Sequence, residues 1–187
     1  MFKLLLSGLL FLGCTDDGMK KDTAVKESVV ETTSDCASII GAEICDMEFF
    51  NGQGDIRSLH DLKGKPLILD LSAMWCGPCQ AAGAGTQAFQ ERYPELTYLT
   101  ILIEDPSGSP PDVEDITMWN STFGITFAPT WAGNRSMITN DPMQLKDKLY
   151  LSSWPTFYYF DENLVMQGYQ VGYSEQSLEQ IAEILLQ

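Results

Sequence analysis

The chain has 187 residues, 44% of them hydrophobic, and a formal net charge of −15. Length and apolar content fit one domain with an N-terminal extension. The acidity excludes nucleic acid, whose phosphates demand a basic surface, and electrostatic docking on anionic lipid.

Residues 1–13 carry Lys3, then an almost wholly apolar run that ends at Gly13. One basic residue and a short apolar stretch read as an export signal, too short for a membrane span. A small residue directly before Cys14 resembles a bacterial lipobox, with Phe11 and Leu12 replacing its usual leucine and smaller residue. Cys14 is therefore expected to be lipidated, which accounts for one of an odd count of five cysteines. Residues 14–35 are polar, with Asp16, Asp17, Lys20, Lys21 and Asp22 near their start, and have little to bury. They read as a flexible tether to a domain over 36–187.

Cys36 and Cys45 bracket a short segment at the start of that domain. Met47, Phe49 and Phe50, the turn Asn51-Gly52-Gln53-Gly54, and Ile56 to Leu59 predict a hairpin. His60 is the only histidine and reads as a surface residue, because a metal site needs convergent partners. Pro66-Leu67-Ile68-Leu69-Asp70-Leu71 has strand length. Trp75-Cys76-Gly77-Pro78-Cys79 follows, and Gln80-Ala81-Ala82 can continue as helix. Strand, two-cysteine turn and helix form the setting in which a C-x-x-C pair does redox work. The first cysteine lies at the helix N-terminus, where free N–H groups and the helix dipole favour a thiolate. The second lies one turn on, close enough to attack a mixed disulfide. Half of a zinc site is the competing reading. It lacks a second close Cys/His pair, so no metal is expected.

The helix predicted over 80–93 contains Gly83 and Gly85, each costing about 1 kcal/mol against alanine. Close packing or a kink would explain them, and the sequence leaves both open. Residues 96–103 read as a buried parallel strand. Such strands deliver their C-terminal loops to the functional edge of an α/β sheet. The acidic loop over 104–115, with Glu104, Asp105, Asp112, Glu114 and Asp115, is accordingly expected beside the cysteine pair. A helix over 113–123, an irregular or short-strand stretch over 125–137 and a helix opened by Asp141-Pro142 come next. Strands over 149–152, 156–160 and 164–170 and a last helix over 174–186 close the chain. Ser174 should cap that helix, with Ile181, Ile184 and Leu185 inward.

The pentapeptide matches the thioredoxin active site letter for letter. Gly64-Lys65-Pro66, Asp70 six residues ahead of Cys76, and Trp154-Pro155-Thr156 also fit. From about residue 41 onward the chain resembles the TlpA/ResA and redoxin type of thioredoxin-like proteins, which are extracytoplasmic thiol–disulfide oxidoreductases. The resemblance implies an α/β thioredoxin fold: a central mixed sheet flanked by helices, with an N-terminal hairpin and a redoxin-type insertion. It implies that Cys76 attacks a substrate disulfide and Cys79 resolves the mixed disulfide, with no cofactor. Asp70 aligns with the family's buried acid, which relays the proton of Cys79. Pro155 is preferred over Pro129 as the family's cis-proline, with Trp154 supplying backbone to the substrate chain and Trp75 covering the pair. Once Cys14 is set aside, four cysteines allow three pairings. A redox pair that closes on itself leaves Cys36 and Cys45 for a structural disulfide, with a redox relay as the alternative.

The Gly-Pro dipeptide matches reducing members. The expected partners are disulfide-containing exported proteins and a membrane electron donor of DsbD/CcdA type, in the bacterial cell envelope, facing the periplasm and lipid-anchored. Two rival readings fit less well. A peroxiredoxin-like peroxidase needs threonine or serine where Ala73 stands. An SCO-type copper protein needs C-x-x-x-C and a distant histidine.

Overall fold

The computed structural model describes residues 36–187. The signal and tether predicted over 1–13 and 14–35, and with them Cys14, lie outside the described residues. The strands are β1 (Glu48–Asn51), β2 (Ile56–Ser58), β3 (Leu67–Ala73), β4 (Thr97–Glu104), β5 (Thr130–Ala132), β6 (Ile138–Thr139), β7 (Leu149–Tyr150), β8 (Thr156–Phe160) and β9 (Met166–Val171). The helices are α1 (Gly77–Arg92), α2 (Val113–Phe123) and α3 (Glu175–Leu185).

Seven strands form one mixed sheet in the order β2-β1-β5-β4-β3-β8-β9, and β6 pairs with β7 apart from it. β3 runs parallel to β4 and β4 to β5, while β8 is antiparallel to β3. Every residue of β3 and β8 is buried, as expected of central strands covered on both faces. The α/β fold with a central mixed sheet flanked by helices is the one the resemblance implied.

Strand alternation sorts the core. Ile68, Tyr98 and Phe157 pack with Ala82 and Phe89 of α1 and with Leu178 and Ala182 of α3. Leu67, Leu69, Leu71, Leu99 and Ile101 point the other way. Ile44, Leu59 and Leu149 cover them, so the N-terminal segment, the turn after β2 and β7 close that face. α2 lies against α1 at Gly83, where an added Cβ would meet the Trp119 ring at 2.8 Å and Phe123 at 2.9 Å. Close packing, not a kink, is the reason for glycine there.

Three expectations are corrected. Asp141-Pro142 opens a single turn, in which Asp141 accepts from Met143 N–H at 2.9 Å, and no helix follows. The side-chain bond satisfies the cap, but the Leu145 carbonyl accepts from the Ser38 N–H at 2.7 Å instead of from a following helical turn. Ile184 is 66% exposed, and Leu178 and Ala182 fill the α3 seam instead. His60 is half-buried: its Nε2 lies 2.8 Å from the Ile44 carbonyl, which holds the turn after β2 on the N-terminal segment.

Candidate active site

β3 and β4 end side by side, with Ala73 in register with Glu104 and the Met74 N–H donating to the Glu104 carbonyl at 2.9 Å. The chain then turns through Met74 and Trp75, a turn held by Gln80 Nε2 on the Met74 carbonyl at 2.8 Å. Cys76 is the N-cap of α1, and its Sγ accepts from the Cys79 N–H at 3.2 Å. α1 thus begins three residues earlier than the predicted 80–93, with Pro78 in its first turn, where no N–H is required. That first turn holds no acidic side chain of its own to oppose the positive end of the helix dipole at Cys76. Cys76 and Cys79 form a disulfide with Cα atoms 5.2 Å apart. Cys76 is 3% exposed and Cys79 is fully buried.

Asp70 lies on β3 facing the helical side, on the same alternation as Ile68, and has no exposed surface. Ser72 Oγ donates to one carboxyl oxygen at 2.7 Å and Tyr98 Oη to the other at 3.3 Å. Burial dominates and pushes its pKa up to about 7, against the lowering effect of those two hydroxyls. A carboxyl balanced there exchanges protons at neutral pH.

The Trp154–Pro155 peptide is cis, the isomer expected of the preferred proline. Trp154 packs against the cluster that contains Cys76 and Cys79 and meets Trp75 edge-on, ring centroids 6.3 Å apart. Trp75 is 47% exposed. Its indole Nε1 donates to Glu104 Oε2 at 2.7 Å. Glu104, buried at the end of β4, also pairs with Arg135. A groove of about 390 Å³ lined by Met74, Trp75, Pro106, Met118 and Phe123 opens beside the pair.

The acidic loop is beside the site as expected, but its carboxylates are engaged locally. Asp105 accepts from the Ser107 hydroxyl and from the N–H groups of Ser107 and Ser109, which hold its pKa below the usual range. Asp112 and Asp115 form the capping box of α2. Glu104 turns inward to Trp75. Sequence reasoning missed Arg135, Ser72 and Tyr98. Ser72 and Tyr98 carried a signal, because a hydroxyl two residues from a buried aspartate, or on the neighbouring strand, shares its face. Arg135 carried none.

Cys36 and Cys45 also form a disulfide, Cα atoms 4.8 Å apart. It staples the segment whose Ala42 carbonyl accepts from Met166 N–H at 3.0 Å.

A thioredoxin-like protein YneN of Bacillus subtilis is 24% identical over 175 residues, covering 92% of each chain. The chain is thus similar over nearly its whole length to a thioredoxin-like protein. Solved structures agree on the fold. One, assigned as a DsbE thiol:disulfide interchange protein from Chlorobium tepidum, superposes with TM-score 0.62 at 20% identity, covering 80% of this chain and 99% of the other. The exposed lipoprotein thioredoxin Etrx1 of Streptococcus pneumoniae gives TM-score 0.55 at 20% identity, covering 74% and 99%. No protein-family model matches the chain.

Proposed function

We propose that this thioredoxin-like protein is a membrane-tethered reductase of disulfides in exported proteins, acting from the bacterial cell envelope and facing the periplasm. The observation that carries the reading is the Cys76–Cys79 disulfide at the start of α1, with Cys76 as the cap, combined with a buried carboxyl at Asp70. The domain boundaries follow the same reading: a signal over 1–13, a tether over 14–35 lipidated at Cys14, and the catalytic domain over 36–187. No helix among the described residues is long and apolar enough to cross a membrane.

The chemistry balances as two exchanges. The Cys76 thiolate attacks one sulfur of a substrate disulfide, forms a mixed disulfide and expels one substrate thiolate. Cys79 gives its proton to Asp70, attacks Cys76 Sγ and expels the second substrate thiolate. Two electrons pass to the substrate, and the protein is left with the Cys76–Cys79 bond. Trp154 supplies backbone to an extended substrate segment beside Pro155, and Trp75 presents an apolar surface to it. Cys36–Cys45 is structural: it has no C-x-x-C helix start to activate a thiolate. A membrane donor of DsbD/CcdA type would return the electrons.

Insulin reduction by dithiothreitol tests the reading. The wild-type protein should accelerate precipitation of the insulin B chain, and Cys76→Ser should abolish the acceleration. Acceleration by Cys76→Ser equal to wild type would remove Cys76 from the mechanism. Loss of membrane association in Cys14→Ala tests the tether, and unchanged detergent dependence would overturn it.

A further inference from the structure

Asp70 is sealed from solvent, yet a group that takes a proton each cycle must also release it. Hydroxyls line up on the helical face beside it. Tyr98 Oη touches the Asp70 carboxyl, and the Thr86 hydroxyl of α1 lies against the Tyr98 phenol. Beyond them is a cavity of about 10 Å³ whose walls include Thr86, Tyr98, Tyr173, Glu175 and Leu178. That is about the room one water needs, and the hydroxyls around it supply the partners a buried water requires. The Tyr173 hydroxyl lies over Gly85, only 3.1 Å from where a Cβ would stand. Alanine there would press on that hydroxyl. Tyr173 is half-buried and the next residue but one, Glu175, is exposed. On the inner side Thr100, in register with Asp70, has a buried hydroxyl with no hydrogen-bond partner. A polar group this deep normally finds one.

We infer that the proton Asp70 accepts from Cys79 leaves between α1 and α3, along the hydroxyls of Tyr98 and Tyr173 and a water held between them. The inference rests on the proposed role of Asp70. In the step, the Asp70 O–H proton passes to the Tyr98 oxygen while the Tyr98 proton passes to the water. The water passes a proton to Tyr173, and Tyr173 passes its own to bulk solvent beside Glu175. One proton leaves and each hydroxyl is regenerated. The groups facing Asp70 fit a neutral relay. Ser72 comes from its own strand and Tyr98 from β4, β8 contributes Phe157 in register, and α1 and the start of α3 contribute Thr86, Tyr173 and Glu175. None of these is a cation. Burial holds the phenol of Tyr98 well above its ordinary range, so it stays protonated and can hand a proton on.

The test is stopped-flow oxidation of the fully reduced protein by excess DTNB. The first thionitrobenzoate release reports attack by Cys76, and the second reports resolution by Cys79. Tyr98→Phe and Tyr173→Phe should leave the first phase unchanged. Each should also leave the second unchanged and slow, several-fold between pH 6 and 8, the phase of proton release to solvent that follows it, read with a pH-indicator dye. Both should raise the solvent deuterium effect on that phase. Because the residues act in series, the double variant should be no slower than the slower single one. Additive slowing overturns the route. So does a Tyr98→Phe profile whose acid limb moves while its plateau stays, because Tyr98 would then only tune Asp70. Tyr173→Phe carries the test alone if Tyr98→Phe fails to fold. An unchanged second phase in Asp70→Asn removes the Asp70 step and the route with it. A slow Asp70→Asn beside two normal tyrosine variants removes the route alone.

Discussion

The indole of Trp75 is held on the carboxylate of Glu104, a 2.7 Å bond between the residue before the redox pair and the last residue of β4. Glu104 is 2% exposed, and its other partner Arg135 is solvated on its outer side. The two ends of this ion pair are therefore unequal. Arg135→Ala leaves a buried carboxylate with one donor, which costs about 1–3 kcal/mol. Glu104→Gln keeps an acceptor for Trp75 and lets Arg135 return to water. Urea denaturation should show Arg135→Ala as the more damaging change.

Cys76 should be the nucleophile in the reduced protein. It caps α1 in a first turn without acidic side chains. Iodoacetamide should therefore label Cys76 before Cys79, with half-maximal reactivity below the roughly pH 8.5 of a free thiol. Peptide mapping that finds Cys79 labelled first would reverse the roles.

Asp70 gives the fold a pH dependence of known sign. Its carboxyl rises from an ordinary 3.8 to about 7 on burial, so the native state binds the proton more tightly than the unfolded chain. Its contribution is complete below about pH 4 and is lost as pH rises through 7. A shift of that size corresponds to at most about 4 kcal/mol. Asp70→Asn should flatten the decline between pH 4 and 7 and leave the oxidised protein more stable than wild type at pH 8, measured by thermal unfolding.

Gly83 admits no side chain without movement of two rings. Gly83→Ala should destabilise by about 1–3 kcal/mol, as overpacking does. Tryptophan fluorescence should report the displaced Trp119, and a stability equal to wild type would mean α2 can slide away freely.

The Cys36–Cys45 bond closes a loop with a sequence separation of 9. By the chain-entropy account it contributes roughly 2–3 kcal/mol. Cys36→Ser/Cys45→Ser should lower the unfolding midpoint and leave insulin reduction intact. A folded double variant that has lost reductase activity would make the pair a relay.

The legible parts of this chain were those where one local rule decides the outcome. The apolar stretch around Asp70 has strand length and precedes the two-cysteine turn, so β3 was readable, and the helix expected over 113–123 is α2 with the same bounds. Pro155 was separable from Pro129 because only it precedes strand, turn, strand and helix. The failures were those of competing partners. Asp141 has the chemistry of a cap, but the carbonyl a helix would need at Leu145 is taken by Ser38 from the N-terminal segment. Glu104 read as one more acid in an acidic loop. Its inward turn depends on Arg135 arriving from 31 residues later, a distance over which no periodicity speaks. The choice between kink and packing at Gly83 likewise needed α2 in place.

The N-terminal segment joins the domain beside Leu164 and Met166, past the end of β8 that lies farthest from Pro155. The redox cysteines follow the opposite end of β3, whose Leu71 faces Thr156 while its Leu67 faces Phe160. Five residues of strand, about 17 Å, separate the two poles. A domain held from its N-terminal end would therefore present the cysteines at the opposite pole.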